Sequence, residues 1–156
     1  MTTTQNTSLV VLRVLIGWHF LYEGIIKLYN PGWTAKGYLL SAEFFRPLFQ
    51  WMATDGVISV IDTLNVVGLI AAGISLMAGI RVRWGCIIGM GLLIMYYIAH
   101  PPFSSIAQGP VEGSYWIVNK NLIEIAALFV IYIFPTSMAF GLERIFRRSD
   151  NTVVQP

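Results

Sequence analysis

The sequence predicts an all-α membrane protein: a bundle of four transmembrane helices, with short interfacial helices between the first two spans. Three observations predict it. Of 156 residues, 56% are hydrophobic and 12% charged, with a mean hydropathy of +0.66, whereas about a quarter of the residues in a soluble domain are charged. The apolar residues fall into four runs, at about 8–28, 57–78, 82–99 and 119–140, each near the length of roughly 20 residues that crosses a hydrocarbon core. Between them lie two long connections rich in aromatic residues, proline and glycine. The whole of 1–156 reads as a single integral membrane domain, its last part, 141–156, forming a basic tail.

The first span carries Arg13, His19, Glu23 and Lys27. Ionisable groups inside an apolar helix face a protein interior or a functional site. With Arg13 set at zero and about 100° per residue, Lys27 falls near 320°, Glu23 near 280° and His19 near 240°, so all four share one third of the helix. Gly17, Phe20 and Gly24 lie on the Arg13 side of that arc, where small residues let a second helix approach. Leu12, Leu15, Trp18 and Tyr22 point largely elsewhere, toward lipid. Residues 1–7 contain no Lys or Arg and no small-residue cleavage site follows, which predicts a retained helix and not a removed signal peptide.

The connection 29–56 contains Trp33, Tyr38, Phe44, Phe45, Phe49 and Trp51. It is too apolar for a solvated loop and predicts one or two short helices lying in the membrane interface, interrupted near Pro47. Span two contributes Asp62 and Asn65 on one face, then the small residues Gly68, Ala72, Gly73, Ser75 and Gly79. Span three contains the pair Gly85 and Gly89, suited to bundle packing or to contact with a second copy, and ends at His100. The connection 100–118, with its prolines and glycines and with Tyr115 and Trp116, predicts an ordered cap over the bundle. Span four opens with Lys120, Asn121 and Glu124. Arg81 and Arg83 in the short connector, with Arg144, Arg147 and Arg148 in the tail, place both termini in the cytoplasm by the positive-inside rule.

Composition also excludes several functions. Ten Lys and Arg against eight Asp and Glu leave no basic patch for nucleic acid. Cys86 is the one cysteine, so a disulfide-exchange pair is excluded. No P-loop, GxGxxG, Cys/His cluster or nucleophile motif occurs, and no haem, flavin or metal motif is visible. A bis-histidine haem on His19 and His100 is disfavoured, because one lies near mid-membrane and the other near the outer edge.

An up-and-down topology brings polar groups from every span to the same membrane half. The catalytic candidates are Glu23, Lys27, His19, Asp62 and Glu124; the binding candidates are Lys120, Asn121, Asn65, His100, Trp33, Tyr38 and Trp116. Each has a structural alternative. Glu23 with Lys27, and Lys120 with Glu124, have the spacing of helix ion pairs; Asp62 and Asn65 suit interhelical hydrogen bonds; and the aromatics suit interfacial anchoring. Arg13, about 15 Å below Glu23 at 1.5 Å per residue, reads as a structural anchor.

The spacing R-x3-G-x2-F-x3-G-x2-K at Arg13, Gly17, Phe20, Gly24 and Lys27 resembles the opening signature of DoxX-like membrane proteins. WTAKGYL at 33–39, DTLNVVGL at 62–69, the segment from Gly79 to Arg83 and VNKNLIEIAAL at 118–128 resemble the branch containing DoxD, the membrane subunit of thiosulfate:quinone oxidoreductase. The resemblance extends from about Leu9 to Leu142. It implies a four-helix protein of a bacterial or archaeal cytoplasmic membrane that works with a redox partner; in thiosulfate:quinone oxidoreductase, thiosulfate is oxidised to tetrathionate and electrons pass to quinone, DoxD being accompanied by a second subunit, DoxA. Quinone chemistry requires a lipid-accessible cavity, hydrogen-bond donors for the carbonyl oxygens and a proton route. Lys27, His19 and Lys120 would be donors, Glu23, Glu124 and Asp62 proton carriers, and Trp33, Tyr38 or Trp116 walls. The competing expectation is a non-catalytic membrane scaffold or partner-binding subunit. A small transporter or proton pathway is less favoured, because inverted repeats are absent, although a homo-oligomer could form a pore.

Overall fold

A computed structural model of the chain describes residues 1–103, 114–134 and 141–143. The first helix, α1 (Thr3–Tyr29), starts before its apolar run does. Thr2 and Gln5 form a reciprocal capping box, with the Gln5 amide N–H donating to Thr2 Oγ1 at 3.2 Å and the Thr2 amide to Gln5 Oε1 at 2.8 Å. Two otherwise unpaired helix-end donors are thereby satisfied, and the polar turn preceding Ser8 becomes helical.

Two short helices follow, α2 (Lys36–Leu40) and α3 (Arg46–Met52). The break between them, at residues 41–45, falls just before Pro47. Pro47 itself lies in the first turn of α3, where proline's missing N–H would have had no helical partner. Leu39, Phe49 and Ala53 pack with Ala42 and Ala99 into a small apolar cluster of their own.

The long helices α4 (Ile58–Ala78) and α5 (Val82–Ala99) fall within a residue of their predicted limits. Gly79, at φ 67°, ends α4 in the left-handed conformation that glycine adopts without strain. The last helix, α6 (Lys120–Ile133), is shorter than the predicted fourth span. Phe134 is already extended, as the residue before a proline tends to be, so the helix stops ahead of Pro135. Its 14 residues rise roughly 21 Å. Residues 135–140 of the predicted span lie outside the described residues, as do 104–113 of the predicted cap. The end of that cap forms a small hairpin, β1 (Ser114–Tyr115) paired antiparallel with β2 (Val118–Asn119).

Three helices, α1, α4 and α5, are long and apolar enough to cross a membrane, the character of a multi-pass helical membrane protein. α1 packs along α4, α4 against α5 and α5 against α6, while α1 and α6 share only a thin seam. The α1–α4 contact is close because glycines face it. A Cβ on Gly73 would stand 2.6 Å from the Leu21 backbone nitrogen, and one on Gly24 would stand 2.7 Å from Ile70. Gly85 lies against Ser75, and Gly89 against Phe20 and Leu128, so this pair serves packing within the chain. Phe20, Leu69, Leu76, Cys86, Leu93 and Leu128 form the main core.

The helical-wheel reading of α1 agrees with the packing, with one correction. Arg13, Gly17, Phe20 and Gly24 are buried and Leu15, Trp18 and Tyr22 exposed, but Leu12 packs against the core. Arg13 is 2% exposed. Its guanidinium lies beside Gly79, with Nη2 2.9 Å from where a Cβ on that glycine would stand. This sets a cation at the carbonyl-rich, negative end of α4.

Candidate functional site

The first candidate residues meet because α1 and α6 run side by side at one end of the bundle while α4 begins, and α5 finishes, at that same end. A cavity of about 300 Å³ opens there. His19, Glu23 and Lys27 line it from α1, Asn65 from α4, Tyr96 from α5, and Lys120 with Asn121 from α6; Trp33 and Tyr38 form part of its roof. Phe20, Leu69 and Leu93 supply apolar floor.

Lys27 is the best-connected group in this cavity. Its ammonium donates to Asn65 Oδ1 at 3.3 Å and lies 3.6 Å from Glu23 Oε2. It also faces two rings, 5.1 Å from the centroid of Trp33 and 5.6 Å from that of Tyr96, distances at which the negative face of an aromatic ring attracts a cation. Asn65 in turn donates through Nδ2 to the Tyr96 hydroxyl at 2.5 Å. The expected Glu23–Lys27 pair is therefore present, one turn apart on α1, and tied to two further helices.

The expected Lys120–Glu124 pair is replaced. Glu124 instead accepts a hydrogen bond from His19 Nδ1, 2.6 Å from its Oε1. A carboxylate behind an imidazole fixes which ring nitrogen carries the proton and which way the ring faces. Lys120 lines the cavity on its own account.

Four candidates do not line the cavity. Glu124 stands behind His19. Asp62 accepts from the backbone N–H of Ala35 at 2.8 Å, holding down the strand of chain that carries Trp33 and Tyr38. His100, at the end of α5, places Nε2 3.1 Å from the Tyr38 carbonyl oxygen and 3.4 Å from Ser41 Oγ. Its role is in the roof, away from His19, so the two histidines have separate partners. Trp116 lies in the hairpin turn, 66% exposed, with φ at 58°.

Tyr96 is the polar group that sequence reasoning missed. Residues 96 and 97 are both tyrosines in an otherwise apolar span, and two adjacent hydroxyls near a helix end are a readable signal, since buried tyrosines need partners. Tyr38 donates its hydroxyl to the Tyr96 backbone carbonyl at 3.0 Å, and its ring meets that of Tyr96 edge-on at 6.1 Å. Burial, with a smaller contribution from Tyr96, pushes the Tyr38 hydroxyl up to about 12, so it stays a donor throughout the physiological range. Elsewhere on the surface, the Lys36 ammonium donates to Asp55 at 2.5 Å and holds that exposed carboxyl below its usual range.

The cavity thus offers two ammonium groups, an imidazole and two amides as hydrogen-bond donors or acceptors, one carboxylate among its lining residues, and flat aromatic walls. At about 300 Å³ it accommodates a ring-sized molecule, at the small end of ligand pockets. Among the described residues, no group of three or more His, Cys, Asp and Glu side chains is placed to hold a metal ion. Compared with protein families, curated proteins and solved structures, the chain has no match.

Proposed function

We propose that the protein is a DoxX/DoxD-like membrane subunit of a quinone-linked oxidoreductase, and that the cavity between α1, α4, α5 and α6 receives the quinone ring. One observation carries the reading: ionisable and amide donors from separate helices converge on a single aromatic-walled space of ring size. Lys27 and Asn65 are the donors for one carbonyl oxygen. The quinone gains two electrons and two protons; the electrons come from a reduced sulfur compound such as thiosulfate or from a separate redox subunit of DoxA type. On this reading α6 belongs to the fourth span, α2 and α3 lie in the interface, and both termini face the cytoplasm of a bacterium or archaeon. The basic residues Arg81 and Arg83 support that orientation.

Equilibrium binding of menadione to the purified chain in detergent tests the site. Loss of a hydrogen bond from a charged donor is worth about 1.5–3 kcal/mol, so Lys27→Met is expected to weaken binding by about tenfold or more. Unchanged affinity in a variant with a wild-type melting curve overturns the assignment.

A second reading is favoured by a different observation: Lys27 and Glu124 already have partners within the bundle. In that case the polar groups join helices and the chain is a non-catalytic scaffold for a partner. It would then copurify with a stoichiometric subunit after mild extraction and would bind no menadione.

A further inference from the structure

Among the described residues, the thin seam between α1 and α6 is spanned by a polar pair whose members are 105 positions apart in sequence. His19 Nδ1 is committed to Glu124 Oε1 at 2.6 Å. The other carboxylate oxygen, Glu124 Oε2, is buried and has no hydrogen-bond partner among the described residues. Burying half of a carboxylate without a partner is costly, and a cationic neighbour on the other half offsets that cost. The imidazole itself belongs to the cavity wall, its plane within 4° of the Phe20 ring at 5.9 Å. With Nδ1 occupied, Nε2 is the ring atom left to serve the cavity. Carboxylate, imidazole and open cavity follow in that order, the arrangement by which a carboxylate orients a histidine that exchanges a proton with a bound molecule.

We infer that His19 is the proton donor to a quinone-class ligand in this cavity, and that Glu124 is its positioning residue. The inference rests on the quinone reading above. As the ligand accepts two electrons from its donor, an O–H bond forms on one carbonyl oxygen while the Nε2–H bond of the imidazolium breaks. His19 becomes neutral, Glu124 remains ionised, and the second oxygen takes its proton from water. The charged groups acting on His19 are Glu124 and Lys120 from α6 and Glu23 from its own helix; Lys27 from α1 and the Tyr96 hydroxyl from α5 line the same cavity.

The test requires no electron donor. Menadione binding to the full chain in detergent is measured across about pH 5–8, the range in which imidazoles exchange protons. A charged donor holds a carbonyl oxygen more strongly than a neutral one, so wild-type affinity is expected to fall about tenfold as His19 loses its proton. His19→Gln should bind with a flat pH profile. Glu124→Gln should still bind, with the midpoint displaced by about one pH unit through loss of the neighbouring charge. A flat wild-type profile, a pH dependence that survives in folded His19→Gln, or an unmoved midpoint in Glu124→Gln overturns the proton role while the quinone reading stands. Absence of menadione binding at every pH overturns both.

Discussion

Gly73→Val is expected to pull α1 away from α4 and to lower stability by about 3 kcal/mol, the upper end of the usual cost of overpacking. The Cβ alone would stand 2.6 Å from the Leu21 backbone nitrogen and 2.8 Å from its Cα, and backbone atoms cannot rotate aside as a side chain can. Lipid tails are as apolar as leucine, so no hydrophobic force would hold the separated helices together; association in the membrane depends on fit. Gly91 provides the control, because a Cβ there meets nothing within 4 Å. Gly91→Ala should match the wild type or exceed it by up to about 1 kcal/mol from helix propensity. Thermal unfolding in detergent, followed by helical circular dichroism, separates the cases. A Gly73→Val chain that melts with the wild type would falsify the close α1–α4 contact.

Phe20→Ala should have the next largest effect, felt in both stability and ligand binding. Phe20 is 1% exposed; it presses on Gly89 of α5, with Cε2 2.8 Å from where a Cβ would stand, and stacks against His19. In a membrane the transfer contribution to such a mutation is small, because the displaced ring would otherwise meet lipid. What remains is the vacated space: at about 24 cal/mol per Å³ of residual cavity, roughly 100 Å³ costs about 2 kcal/mol. The same space adjoins the candidate site, since Phe20 forms part of its floor. Menadione affinity is therefore expected to drop with stability, whereas Leu76→Ala, also in the core but not lining the cavity, should lower the melting temperature alone. Equal effects of the two variants on binding would show that Phe20 does not shape the cavity.

Much of this architecture was legible because hydropathy and helical periodicity are local signals. The limits of α4 and α5 follow from where apolar runs meet Gly79, Arg81 and His100, and the buried face of α1 follows from the angular spacing of Arg13, Gly17, Phe20 and Gly24. The start of α1 was legible too, in Thr2 and Gln5, but a hydropathy window overlooks a polar capping turn. The end of α6 illustrates the converse: the apolar run continues past Pro135, whereas Phe134 is already extended.

The site was legible as a neighbourhood and less so as a set of contacts. Topology alone sends His19, Glu23, Lys27, Asn65 and Lys120 to one end of the bundle. It does not say that Glu124 turns to His19 instead of to Lys120 one turn away, because that choice depends on the rotation of α6 about its axis against α1. Asp62 shows a similar limit: its carboxylate caps a loop amide at Ala35, a contact set by where the roof folds down and not by the face of α4 that bears it. Tyr96 was passed over as one aromatic among many, though it joins Asn65 of α4 to Tyr38 of the roof through side chain and backbone.

Glycines seat α1 on α4, and a turn of a few residues joins α4 to α5. At the α1–α6 seam, where Phe20 and Leu128 meet beside Gly89, an imidazole and a carboxylate add a hydrogen bond between the two helices. Contact between these two helices and proton binding by His19 are therefore linked: by whatever free energy the closed seam favours the protonated imidazole, protonation favours the closed seam.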